Sequence, residues 1–315
     1  MGDGGPRFGA AFWVNRTGWP ELRDAVAAAE AAGWDSAWLD DHLLCDEGDE
    51  RDPKLEGWTA LAALAASTSR IRLGHLVTAV TFRDLGLLAK MATTLDHVSG
   101  GRFVLGLGAG WHAREHAAFG IPFGDRVGER LDRLAEATEL LRRLLDGEVV
   151  THHGRFYDLD EAVCAPRPLQ ERLPILVGGT GRTKTLRIVA RWADAWNAYA
   201  TPAELAELAA VLADHGVAVG RDVATIERQV NLNVVVRPSA EAGRAAWAGI
   251  RARHAIQPGE DDLHAAGSPA EVAAAIRPWV DAGIDEVVVV LRSPWDRETI
   301  DRLPEVRAAL STARG

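Results

Sequence analysis

The reading of the fold turns on Gly100-Gly-Arg-Phe-Val-Leu-Gly-Leu-Gly-Ala-Gly-Trp-His-Ala-Arg-Glu-His-Ala-Ala-Phe-Gly-Ile-Pro-Phe-Gly124. Phe103 to Leu107 is a short apolar run with strand character. It opens into a loop with glycine at 106, 108 and 110, where backbone can approach a flat or anionic ligand closely. No strongly periodic helix follows at once: an aromatic, a charged cluster and a Gly-Ile-Pro-Phe turn come first, and the next such helix begins near Val127. A strand that ends in a long decorated loop before its helix is where a (β/α) barrel keeps its chemistry. Two other readings of the same residues compete. A dinucleotide fingerprint needs Gly-x-Gly-x-x-Gly on a strand-to-helix turn, and Trp111 stands in the third glycine's place. His112-Ala-Arg-Glu115-His116 has the order of the inverted zinc peptidases, which requires a helix presenting both histidines. The glycines before it and Phe119-Gly-Ile-Pro122 after it leave little helix, so zinc stays the alternative and the expected metal set is none.

Composition narrows the partners. The formal charge of -10 argues against a nucleic-acid or anionic-membrane surface, which would need a basic face. No run reaches the ~18 apolar residues of a membrane span. The start, Met1-Gly-Asp-Gly-Gly-Pro, has neither the basic residues nor the apolar core of a signal peptide. Cys45 and Cys164 are too few for a disulfide framework and spaced wrongly for zinc. The expectation is a cytoplasmic protein whose partners are small molecules or copies of itself.

Outward from the glycine stretch, apolar runs and helical stripes alternate. Strands are expected at Phe8 to Val14, Ser36 to His42, Ile71 to Val80, Phe103 to Leu107, Pro174 to Val177, Ala193 to Tyr199, Val230 to Val236 and Val287 to Leu291. The clearest helix carries Val127, Leu131, Leu134, Thr138, Leu141 and Leu145 on one stripe. One joint recurs: Ala32-Gly-Trp-Asp-Ser-Ala-Trp38, Arg191-Trp-Ala-Asp-Ala-Trp196 and Ala282-Gly-Ile-Asp-Glu-Val-Val288 each read as a helix exit, a turn with Asp and a buried strand. Eight strands with about eight helices predict a parallel (β/α)8 TIM barrel, expected as one domain over residues 1–315. Insertions are expected after strand four, at Gly147 to Leu173 with hairpin character, and around strand seven, at Pro238 to Pro269, where Ala240 to Ala255 could be helical. A doubly wound open sheet would call for a glycine fingerprint at the first strand, and Phe8 to Arg16 has none.

In a barrel the strand tips supply Asp41-His42, Leu76-Val77-Thr78, Gly108 to Trp111, Gly178 to Gly181 and Asn197 to one end. Gly178-Gly-Thr-Gly181 precedes a helix, so its amides and the positive helix end suit a phosphate, with Thr180 as hydroxyl donor and Arg182 or Lys184 as counter-charge. Read alone, the same four residues make only a tight turn. His42 titrates near neutrality and suits proton transfer, against the plainer reading of a strand-end hydrogen bond. His75, within a strand, and His152-His153, in the insertion, are weaker candidates. Trp111 is expected to face ligand, whereas Trp34, Trp38, Trp192 and Trp196 sit at the repeated joints and are expected in the core.

The wording of these segments resembles the luciferase-like monooxygenase superfamily, and more narrowly its deazaflavin-dependent oxidoreductases of actinobacteria. The matching residues are Ala37-Trp-Leu-Asp-Asp-His42, Ile71-Arg-Leu-Gly-His-Leu-Val-Thr78, Gly101 to Trp111, Glu115 to Phe123, and Pro174-Ile-Leu-Val-Gly-Gly-Thr-Gly181 through Ala193-Asp-Ala-Trp-Asn197. The resemblance implies coenzyme F420 (8-hydroxy-5-deazaflavin) at the strand tips, or FMN in its place. The ring system would lie near Asp41, His42, Leu76, Val77 and Thr78, with Gly110 and Trp111 beside it. A non-proline cis peptide is implied at Leu76-Val77, and the phosphate at Gly178, Gly179 and Thr180. His42 would give or take the proton while hydride passes between the ring carbon and a small organic substrate. The alternatives are an FMN monooxygenase that uses O2 and reduced flavin from a separate reductase, and a barrel that binds flavin or ligand without turnover. Relatives suggest a homodimer. Where they carry polar Asn-Glu after the tryptophan, this chain has His112-Ala113.

Overall fold

A computed structural model describes residues 5–254, 256 and 263–312, and every structural statement concerns these. In chain order the strands are β1 (Arg7–Trp13), β2 (Ser36–Leu39), β3 (Arg72–His75), β4 (Thr78–Ala79), β5 (Phe103–Gly108), β6 (Val150–His153), β7 (Asp158–Ala162), β8 (Ile175–Gly178), β9 (Ala195–Ala198), β10 (Glu227–Val236), β11 (His264–Gly267) and β12 (Glu286–Arg292). The helices are α1 (Trp19–Ala31), α2 (Gly57–Ser67), α3 (Leu85–Ser99), α4 (Ala113–Ala118), α5 (Val127–Leu145), α6 (Thr185–Trp192), α7 (Pro202–Val219), α8 (Ala240–His254), α9 (Pro269–Asp281) and α10 (Arg297–Thr312). Ten of the strands belong to the parallel sheet, β3 and β4 being two pieces of one broken strand and β11 an addition beside β10, and the fold class is the expected (β/α)8 TIM barrel.

The chain groups into two compact units. The first joins Met1–Ala60, Ala198–Glu207 and Glu227–Gly315; the second joins Leu61–Asn197 and Leu208–Ile226. The first unit holds the parallel order β11-β10-β12-β1-β2. Its strands are near-continuous apolar runs because each is covered on both faces. One buried carboxylate interrupts this apolar filling. Glu286 accepts hydrogen bonds from Ser36 Oγ, from Trp38 Nε1 at 3.4 Å and from Gln229 Nε2 at 3.4 Å. The second unit holds β3-β5-β8-β9, with β4 also on β5.

The repeated joint has a single physical basis. Asp35 N donates to Phe8 O at 2.9 Å, and Phe8 N donates back to Asp35 Oδ2 at 2.7 Å. Asp194 makes the same reciprocal pair with Ile175, at 2.7 and 3.0 Å. Asp285 makes it with Arg228, at 2.9 Å in both directions. Each aspartate therefore clamps the start of its own strand to the start of the parallel strand beside it.

Several expectations are refined. The expected strand Ile71 to Val80 is broken into β3 and β4, and the Leu76–Val77 peptide between them is cis, as the resemblance implied. Within Gly147 to Leu173, β6 and β7 pair as an antiparallel hairpin. Its tip is tied down where the amides of Phe156 and Tyr157 donate to Glu136 Oε1 at 3.2 and 3.0 Å. The stretch Pro238 to Pro269 is more regular than composition suggested. It holds α8, as anticipated, and a parallel strand, β11, whose four residues are too short for a periodicity signal; Ala255 and residues 257–262 lie outside the described residues. Trp34, Trp38 and Trp196 are core residues at 0–1% exposure, whereas Trp192 is only half-buried, at the end of α6 under the guanidinium of Arg191.

The clamps differ in what else they hold. Asp194 also accepts from Arg142 at 2.5 Å and Arg172 at 2.7 Å, and the Arg142 side chain is 3% exposed. Asp285→Ala is expected to cost ~0.5–1.5 kcal/mol, the net contribution of one hydrogen bond at an exposed joint. Asp194→Ala should cost ~3–5 kcal/mol, because it strands a buried guanidinium. Chemical denaturation of both variants checks this, and equal losses would refute the distinction.

Candidate functional site

Each unit contributes its own expected residues. In the first, β2 runs out into Asp40, Asp41 and His42; both aspartates are buried and His42 is half-buried. Beneath them is a polar cluster that the sequence reading did not find. Lys54 Nζ donates to Asp40 Oδ2, to Asn15 Oδ1 at 2.8 Å and to Asp46 Oδ1 at 3.0 Å. Asp40 Oδ1 in turn accepts from Val14 N at 2.9 Å, so the cluster pins the ends of β1 and β2. Burial works against the Lys54 charge, but Asp40 and Asp46 outweigh it and raise the ammonium's pKa. Burial likewise pushes the Asp46 carboxyl up. The charges of Lys54 and His42, with a hydrogen bond from Lys54, win and hold it below the ordinary carboxylate range. His42 thus stands in the field of a carboxylate that stays ionised.

A second cluster of the same unit centres on Glu47. Arg292 Nε, at the tip of β12, donates to its Oε1 at 2.7 Å, and His254 Nδ1 lies 3.2 Å from its Oε2. Burial pushes Glu47 up, but the His254 hydrogen bond and the charge of Arg292 bring it below its usual value. Lys54, Asp46 and Glu47 fall in a stretch read only as a polar loop, and their partners are distant in sequence, so no local pattern announces them.

In the second unit, Leu76 and Thr78 are buried and Val77 is half-buried. The glycines of β5 answer to this segment. A Cβ on Gly106 would lie 1.9 Å from His75 O, one on Gly108 2.5 Å from Val77 Cγ2, and one on Gly178 3.1 Å from Val77 Cγ1. Gly106 and Gly108 therefore clear space for a neighbouring strand, a reading that replaces the expected approach to a ligand. Gly110 has φ +78°, where a side chain would be strained, and Arg130 Nε donates to its carbonyl at 3.2 Å. Trp111 is 63% exposed and stacks on His112 with centroids 4.9 Å apart.

The His-x-x-Glu-His order is not a zinc motif here. Nδ1 of His116 donates to His112 O at 2.9 Å, which leaves Nε2 to accept from the Thr81 hydroxyl at 2.7 Å. Both ring nitrogens are used, and burial keeps the ring neutral by lowering its pKa. The ring lies 4.6 Å from those of Phe82 and Phe123, so it is a packing residue beneath the loop.

Gly178 to Gly181 lead from β8 toward α6. Gly179 N donates to Asn197 O at 3.0 Å and its carbonyl accepts from Trp196 Nε1 at 2.8 Å, so β9 fixes the turn. Gly179 and Thr180 are exposed, and α6 carries no side-chain cap at its N-terminus. An oxyanion suits such a helix start. Lys184, one of the two expected counter-charges, is committed elsewhere: its Nζ donates to Asp132 Oδ1 at 2.5 Å and Gly128 O at 3.0 Å.

A family model for luciferase-like monooxygenases matches residues 7–265. An F420-dependent hydroxymycolic acid dehydrogenase of Mycobacterium tuberculosis is 34% identical over 220 residues, 70% of this chain and 60% of that protein. The chain spans about 58% of the length of the first curated relatives it matches. Among solved structures, an F420-dependent secondary alcohol dehydrogenase in complex with an F420-acetone adduct has a TM-score of 0.83 at 21% identity, covering 97% of this chain and 99% of that one. A riboflavin lyase with modified FMN has a TM-score of 0.82 at 18% identity, covering 98% and 92%. Both likenesses show the fold.

Two substitutions test this geometry. Gly106→Ala should destabilise by about 3 kcal/mol or more through overpacking, whereas Gly86→Ala, whose Cβ meets nothing within 4 Å, should be neutral or stabilising. Melting temperatures decide, and a Gly106→Ala protein as stable as the parent would refute the crowding. Lys54→Met should cost ~3–5 kcal/mol by stranding the buried Asp40 and half-buried Asp46 carboxylates. The depressed Asp46 pKa contributes stability that is present above the unfolded value near ~4 and lost as pH falls through the folded one. Acid denaturation of Lys54→Met should therefore show a shallower loss below about pH 4 than the parent; an unchanged slope would dissociate Lys54 from Asp46.

Proposed function

The chain belongs to the luciferase-like monooxygenase family, and from that premise we propose that it is an oxidoreductase that exchanges a hydride between coenzyme F420 and a small organic substrate. The observation that carries the reading is His42, half-buried after two buried aspartates and in the field of ionised Asp46. An imidazole in that place suits proton exchange at a substrate oxygen or nitrogen. The F420-dependent relative from Mycobacterium tuberculosis supports the choice of cofactor.

When bound, the deazaflavin supplies a ring carbon that carries hydride and resists oxygen. The chain's own residues do the rest. Asp41 and His42 would meet the ring system after β2, and the family resemblance assigns the same role to Leu76, Val77, Thr78, Gly110 and Trp111. The exposed turn at Gly178, Gly179 and Thr180 fits the phosphate, because the uncapped start of α6 offers donors. The proposed partners are a small-molecule substrate and a second copy of the chain.

Fluorescence quenching of the apoprotein with coenzyme F420, and separately with oxidised and reduced FMN, tests the cofactor. Sub-micromolar binding of F420 alone is expected. Preferential binding of reduced FMN would overturn the reading in favour of an O2-using monooxygenase served by a reductase, and binding of neither would remove the function. His42→Ala should keep F420 binding while slowing bleaching of the coenzyme by secondary alcohols at least ~100-fold. Unchanged turnover would remove His42 from the chemistry.

A further inference from the structure

One buried imidazole nitrogen in the first unit has two partners that make opposite demands on it. His254 ends α8, and its side chain is 3% exposed. Its Nδ1 lies 3.1 Å from Arg16 Nη2 and 3.2 Å from Glu47 Oε2, and those two atoms are 3.8 Å apart. A guanidinium only donates, so it needs the lone pair of Nδ1; an ionised carboxylate only accepts, so it needs a hydrogen there. One nitrogen cannot supply both, and the proton on it selects the partner.

The surroundings fix one partner and leave the other able to move. Burial pushes the Glu47 carboxyl up, but the His254 hydrogen bond and the charge of Arg292 hold it below its usual value, so it stays a carboxylate wherever histidines titrate. Its Oε1 accepts from Arg292 Nε at 2.7 Å, and Arg292 Nη1 donates to Asn233 Oδ1 at 2.6 Å. Arg16 is fixed only at its backbone. Its φ of +51° is unusual for a residue other than glycine, its N donates to Pro53 O at 2.7 Å, and its carbonyl accepts from Ser293 Oγ at 3.1 Å. The side chain is 30% exposed, and its one hydrogen bond among the described residues is the bond to His254. The other charged or titratable groups on α8 and around it are Arg251, Arg253 and His264, the pair Arg237 and Asp296 at 3.0 Å, and the pair Lys54 and Asp46 at 3.0 Å; none of these bonds to the His254 ring.

We propose that His254 is a proton-operated latch on Arg16. With Nδ1 unprotonated, the ring accepts from the guanidinium and holds it. With Nδ1 protonated, the ring donates to Glu47 and stands as a cation beside another cation, so Arg16 is released to solvent. Acid therefore adds an unlatched guanidinium after β1, in the part of this unit where the strands end in polar residues. The proposal stands apart from the cofactor reading, since its test contains no coenzyme.

The ten histidines give ring-nitrogen signals in a long-range proton–nitrogen spectrum, and His254→Asn deletes one set and so assigns it. Arg16→Lys assigns the Arg16 Nε signal in the same way. His254 Nδ1 is expected to carry no proton at about pH 8 and to gain one by about pH 5, across the range in which histidines titrate. With the same midpoint, the order parameter of Arg16 Nε should fall from about 0.85, that of a rigid group, to below about 0.6. In His254→Asn the side-chain carbonyl is an acceptor that never titrates, so Arg16 should stay rigid throughout. His254→Gln, with the same acceptor on a longer side chain, serves both purposes should the Asn variant not fold. The latch is overturned if Nδ1 carries a proton at about pH 8, or gains none by about pH 5. It is equally overturned if the Arg16 order parameter does not follow the His254 titration, or falls as far in the variant as in the parent.

Discussion

Parallel strands lack the tight turn that sets register in a hairpin, so a barrel must fix register by other means. Here one interaction does so repeatedly: an aspartate just before a strand exchanges two hydrogen bonds with the first or second residue of the strand beside it. Asp35 with Phe8, Asp194 with Ile175 and Asp285 with Arg228 share this geometry, and in each pair the ladder continues one residue later. A one-residue slip would break both bonds and turn the apolar set of the strand to the wrong face.

The second constraint is steric and local to the site. Val77 and the His75 carbonyl occupy volume that side chains would fill at Gly106, Gly108 and Gly178. The glycine spacing that resembles a ligand loop is thus an imprint of the adjacent strand. The distinction matters for any glycine-rich motif, because an intramolecular neighbour and a bound ligand make the same demand for a missing Cβ.

Much of the architecture was legible because each strand is an apolar run and each joint repeats its aspartate. What stayed illegible has physical causes. β11 has only four residues and stands beside a long strand, so its pairing and not its own pattern makes it a strand. The Lys54 cluster draws Asn15, Asp40 and Asp46 from three places in the sequence, and no local spacing links them. The break at Leu76–Val77 came from family resemblance alone, since nothing in the apolar run from Ile71 to Val80 announces it. His116 shows the converse: a recognisable order of residues whose nitrogens serve packing.

The two ends of the strands divide the work. The aspartate clamps precede β2, β9 and β12, where the reciprocal pair of bonds at each joint holds register. The polar groups with chemistry to offer follow the strands: Asp41 and His42 after β2, Thr180 after β8, Arg292 at the tip of β12. With register locked at the strand starts, polar residues are accommodated at the strand ends, where the bond from Val14 N to Asp40 Oδ1 adds a further tie between β1 and β2. This accounts for placing an ionised Asp46 beside His42 without weakening the sheet. The cost of burying that charge is met locally by Lys54, and Lys54 is itself held by groups at the ends of β1 and β2. His42, to which proton exchange is proposed, follows β2, and the cluster beside it rests on the ends of β1 and β2.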